Sequence, residues 1–175
     1  MHEEINSINK LTGEYDKTLE RLQRCELAVT ELTKLHKEWV PGSPPDLDVK
    51  YNELIDALSE IQNDLEEHSR YEEKEIIPVL YEHAGEIINR GLVLEHEKIL
   101  DSITYLRKSA ESLYGKVDSR DQRIAQEVDV REAIRAILQL VQRHCDTQYI
   151  IYGLAKDVLS NTNELDKRRG STFNI

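Results

Sequence analysis

Apolar residues recur along this chain at alternating spacings of three and four, in four separate stretches. The first stripe reads Ile8, Leu11, Tyr15, Thr18, Leu22, Cys25, Val29, Leu32, His36, Trp39. The second reads Tyr51, Leu54, Leu58, Ile61, Leu65, His68, Glu72, then Val79. Leu92, His96, Ile99, Ile103, Leu106, Ala110 and Leu113 form the third. The fourth runs Val130, Ile134, Ile137, Val141, His144, Gln148, Ile151, Ala155, Val158. This period places each set on one face of a helix that packs along its whole length. Between the stripes stand Pro41-Gly42-Ser43-Pro44-Pro45, Ala84-Gly85 and Gly115-Lys116-Val117-Asp118-Ser119. Proline removes a backbone donor and bars the α region to the residue before it, so the first break is firm. Four helices with short connections predict an all-α, antiparallel up-down-up-down four-helix bundle over residues 1–160. Beyond Ser160 the chain turns polar, and 161–175, with Lys167-Arg168-Arg169-Gly170-Ser171, reads as a flexible tail.

Each stripe carries polar interruptions: Tyr15; His68 with Glu72; His96; His144 with Gln148. Helices rise about 1.5 Å per residue, so their heights can be compared. Tyr15 precedes Trp39 by 24 positions, and His68 follows Leu47 by 21. In an antiparallel pair these two fall within about one turn of the same level. The same counting brings His96 and His144 to that layer. Burying ionisable groups is costly unless something compensates them. Imidazoles and a carboxylate converging from several helices are ligands for Fe, Zn, Mn or Ni. The competing reading is a hydrogen-bonded polar layer without metal. Glu73 and Glu95 adjoin the layer and are candidates for orienting its imidazoles, though Glu73 reads more simply as solvated surface. His36 falls at the far end of the bundle and reads as structural. His83, at a helix terminus, suits the dipole better than a ligand role.

Composition narrows the class. The 175 residues are 33% charged, with a net charge of −11. That balance argues against nucleic acid and against anionic membrane surfaces. Cys25 and Cys145 cannot build a disulfide framework, and no apolar run approaches a signal peptide or a membrane span. The expectation is a reduced, cytoplasmic protein.

The segment His68-Ser69-Arg70-Tyr71-Glu72-Glu73-Lys74-Glu75-Ile76-Ile77-Pro78-Val79-Leu80 resembles the second-helix signature of the hemerythrin-like (HHE cation-binding) family. Leu94-Glu95-His96-Glu97-Lys98-Ile99 resembles its third-helix motif, and the resemblance spans about residues 5 to 158. It implies an antiparallel bundle with a non-haem, usually di-iron, centre, to which His68, Glu72, His96 and His144 would be ligands. Two positions depart from the family pattern: Tyr15 stands where the first helix should present a histidine, and Gln148 where the fourth should present a carboxylate. Tyr15 is then either a ligand or a hydrogen-bonding space-filler, and Gln148 is a weak ligand at best. A third difference is Leu100, where some oxygen carriers have a further histidine.

The resemblance implies non-haem iron, mononuclear or dinuclear, with zinc or another divalent metal compatible with the same ligand types. Open positions would admit a small diatomic or peroxide ligand: O2, NO or peroxide. No nucleophile with a paired base and no phosphate loop appears, which argues against an enzyme; an iron-dependent peroxide-consuming activity is the enzymatic alternative. The other alternative is a degenerate, metal-free bundle acting as a structural or protein-interaction module.

Overall fold

Long stretches of Leu, Ile, Glu, Lys and Arg uninterrupted by proline become long helices. The computed structural model describes the backbone of residues 2–38, 47–78, 86–114 and 119–170, and within these the side chains of 15–38, 47, 49–78, 90–113 and 119–154. Helix α1 is His2–Glu38 and α2 is Asp48–Tyr71. A π-helical turn, Glu72–Ile76, prolongs α2. Helix α3 is Glu86–Glu111, closed by a 3-10 turn Ser112–Tyr114, and α4 is Arg120–Gly170. No strand occurs among the described residues, and no helix there is long and apolar enough to cross a membrane.

Helix starts follow from local chemistry. Ser119 Oγ accepts the backbone N–H of Gln122 at 3.2 Å, and Asp121 sits in the first turn of α4. Together they satisfy an orphan donor and complement the helix dipole. The expected breaks at 41–45 and 84–85, most of that at 115–119, and Trp39, Val79 and His83, lie outside the described residues. The expected boundary at residue 160 falls inside α4, whose helical backbone continues to Gly170.

Packing forms a ring. Helix α1 lies against α2 and α4, and α3 lies against the same two. Wherever the side chains are described, the stripe residues are the core. Leu22, Leu32, Leu58, Ile61, Ile103, Leu106, Ile134 and Val141 are completely buried. His36 alone among them is only half-buried.

Two buried polar layers bracket this apolar middle. One contains Tyr15, His68, Glu72, His96, His144 and Gln148. The other joins His36 of α1, Tyr51 of α2 and Glu127 of α4. Glu127, 0% exposed, accepts a hydrogen bond from the Tyr51 hydroxyl at 2.8 Å and lies 2.8 Å from His36 Nδ1. The Leu32 carbonyl lies 3.2 Å from the same nitrogen. Both neighbours of Nδ1 are acceptors, so Nδ1 carries the proton. The Arg123 guanidinium stands 5.7 Å above the Tyr51 ring, close enough for a cation–π contribution.

Removing one partner of a buried carboxylate leaves it under-solvated. Tyr51→Phe should therefore lower unfolding free energy by about 1.5–3 kcal/mol. Tyr105→Phe, at a residue 69% exposed, should change it by no more than about 0.5 kcal/mol. Urea denaturation of both variants checks the contrast.

Candidate metal centre

Glu72 is the hub. Its side chain is 0% exposed, and its carboxylate meets groups from α2, α3 and α4. Oxygen Oε2 lies 2.8 Å from His96 Nε2, 3.6 Å from His68 Nε2 and 3.8 Å from His144 Nε2. The three imidazoles thus surround one oxygen. Oε1 accepts the hydroxyl of Tyr152. The amide of Gln148 donates to Oε2 at 2.5 Å and reaches His144 Nε2 at 2.8 Å.

Two further carboxylates hold the rings from behind. His96 Nδ1 donates to Glu73 Oε1 at 2.8 Å, and His144 Nδ1 to Glu95 Oε2 at 2.8 Å. A proton on each Nδ1 leaves each neutral ring its lone pair on Nε2. Those two nitrogens are 3.2 Å apart and both face Glu72. Donor atoms of Glu72, His96 and His144 all fall within 4.8 Å of one another. Lone pairs crowded this closely in a buried space repel unless a proton or a cation lies among them. The three residues therefore form a buried group that could hold a metal ion.

Without a cation, a proton on His96 Nε2 shared with Glu72 Oε2 can fill that role. Burial alone would raise the Glu72 carboxyl, but hydrogen bonds from His144, His68 and His96 outweigh it and hold the group far below the usual carboxylate range. Burial would lower the His96 imidazole, yet Glu72 and then Glu73 raise it above its ordinary value. Burial, and secondly the charge of Glu72, push the Tyr15 phenol well up. The Tyr152 phenol is raised for the same reasons, and by its hydrogen bond to Glu72.

The six candidate ligands read from the sequence, Tyr15, His68, Glu72, His96, His144 and Gln148, all lie in this layer. Glu72, His96 and His144 converge directly, and His68 borders them through Glu72. The ring of Tyr15 packs on that of His68, with centroids 4.1 Å apart, and edge-on to His144 at 5.4 Å. Its hydroxyl is hydrogen-bonded by the Gln148 side chain. Cys145 is half-buried against the core, and burial raises its thiol to about 12.

Two features differ from the sequence reading. Glu73 is not simply solvated surface: it is part-exposed but bound to His96. The cause is the π turn beginning at Glu72, in which the Ile77 N–H bonds to the Glu72 carbonyl, five residues back. That turn takes in an extra residue, so consecutive side chains fan out by a smaller angle and both glutamates reach α3. Pro78, whose ring crowds the carbonyl four residues earlier, is its sequence signal. Tyr152 was the residue missed. It stands four positions after Gln148 and eight after His144, a spacing that repeats the seam.

No family model matches this chain, and neither does any curated protein or solved structure.

The opposite shifts of Glu72 and His96 set a pH optimum for the chelator-treated chain. The lowered Glu72 contributes stability that is present above its ordinary value near about 4 and is lost as pH falls below it. The raised His96 contributes stability fully present below about 6.5 and lost as pH rises through its raised value. Stability should therefore be greatest between those two ordinary values, at about pH 5–6, and decline as pH rises beyond the second. The alkaline decline should be smaller in His96→Gln. Urea midpoints across the pH range measure both.

Proposed function

We propose that this protein is a hemerythrin-like, non-haem metal-binding protein whose metal is iron. One observation carries the reading: His96 and His144 are each anchored at Nδ1 by a carboxylate, so their Nε2 atoms are aimed together at the buried Glu72. Metal-ligating histidines characteristically donate their other ring proton to such a partner, which fixes tautomer and orientation. Two histidines and one carboxylate suit ferrous iron with positions left open, and they are also compatible with zinc.

An antiparallel up-down-up-down arrangement accounts for the two polar layers. Within α1, Tyr15 precedes His36, whereas in α2 Tyr51 precedes His68, and in α4 Glu127 precedes His144. Short connections would generate that alternation. Together with the resemblance of His68 to Leu80 and of Leu94 to Ile99, this supports the hemerythrin-like assignment.

Bound iron would supply an accessible coordination position for O2, NO or peroxide. The chain's own residues do the rest. Glu73 and Glu95 fix the imidazoles, and Tyr152 fixes Glu72. Tyr15 and Gln148 shield the cluster, the former as a protonated, packed phenol rather than a ligand. The buried surroundings keep bulk water from the carboxylate.

Protein purified without added metal, or reconstituted anaerobically with ferrous iron, should retain iron by elemental analysis. Glu72→Ala should abolish retention, because it removes the one carboxylate among the converging donors. Tyr15→Phe should leave the iron content unchanged, and neither form should show a phenolate-to-iron absorption band. A chain that takes up no metal under these conditions would instead be a polar-cored interaction module.

A further inference from the structure

The two oxygens of Glu72 are used differently. Oε2 faces all three imidazole Nε2 atoms, whereas Oε1 points to the Tyr152 hydroxyl. Resting on the metal-binding reading above, we infer that the centre is built for a single metal ion, and that Tyr152 and Gln148 together set this count. Tyr152 engages the only Glu72 oxygen not turned to the imidazoles. Gln148 presents a neutral amide where a second ion would need a second carboxylate.

Charge makes the argument. Glu72 and Glu127 are the only fully buried carboxylates among the described residues, and Glu127 belongs to the opposite layer. Glu73 and Glu95 are partly exposed and spend their oxygens on the far sides of the rings. One divalent ion facing Glu72 is half-neutralised inside the core and further compensated through the imidazoles. Two such ions facing the same carboxylate would leave most of their charge uncompensated in a low-dielectric interior.

Space agrees with charge. Tyr152 donates to Glu72 Oε1, and Gln148 donates to Oε2 beside His144 Nε2, so both oxygens already have a donor on α4. The Tyr15 ring closes the flank beside His68 and His144. Tyr152 is thus a positioning residue, acting on the metal through Glu72.

The test is a count of ions bound by the full chain. Zinc, and separately ferrous iron under anaerobic conditions, is titrated into chelator-treated protein. Ions bound by Glu72→Ala are subtracted to remove adventitious binding to an acidic surface. The wild-type chain should bind one ion, with a sharp end point at one equivalent. The double variant Gln148→Glu/Tyr152→Phe, checked for folding by circular dichroism, should bind two. Two ions in the wild-type chain would overturn the inference while leaving metal binding intact. One ion in a folded double variant would overturn the role given to these two residues. No ion in the wild-type chain would overturn the metal-binding reading, and this inference with it.

Discussion

The architecture depends on how a carboxylate is accommodated at the centre of a helical bundle. Taking Glu72 out of water costs several kcal/mol unless its charge is met by partners. Five side chains meet it: His68 from its own helix, His96 from α3, and His144, Gln148 and Tyr152 from α4. Each partner constrains the height and rotation of its helix. A slip of α4 by one residue would turn His144, Gln148 and Tyr152 away together. The hub therefore specifies register as well as chemistry, which a uniformly apolar seam does poorly.

Glu127 plays the corresponding part at the other layer, tying α1, α2 and α4 through His36 and Tyr51. Between the two layers lies an apolar middle built from Leu, Ile and Val. Its side chains supply most of the favourable burial, at roughly 25 cal/mol per Å² of apolar surface. The polar layers add direction to that nondirectional attraction. They also differ in kind. Glu127 faces one imidazole edge and a phenol, whereas Glu72 faces three imidazole nitrogens. Only the second gathers enough nitrogen donors for a metal.

Much of this was legible in the sequence because helical period and rise are nearly invariant. From Tyr15 to Leu32, Tyr51 to Glu72, Leu92 to Leu113 and Val130 to Ile151, the residues read as seam are buried. Counting residues from the breaks was enough to bring Tyr15, His68, His96 and His144 to one level. What escaped reading had local causes. Tyr152 lies beside Ile151, and the apolar neighbour took the seam position although both are buried. Glu73 became a partner of His96 through a π turn that ordinary helical spacing does not anticipate. Glu127 continues the fourth stripe three residues before Val130, but a lone glutamate at the start of a stripe looks like solvated surface. The end of the bundle was set at a change in composition, yet the α4 backbone runs past it, through a segment in which Glu164, Leu165, Lys167, Arg168 and Arg169 are good helix formers.

Hydrogen bonding and the proposed metal binding draw on the same atoms here. The Nε2 atoms of His96 and His144 and the Oε2 atom of Glu72 are placed by groups behind them, so their direction does not depend on what lies between them. Such preorganisation lowers the cost of gathering ligands around an ion. The most direct test is anomalous X-ray diffraction at the metal absorption edge from crystals of the full chain grown with ferrous iron or zinc. The account predicts a single anomalous peak bounded by Glu72, His96 and His144, with ligand distances of about 2.0–2.2 Å for zinc. An empty cluster, or a peak at some other group of residues, would contradict it.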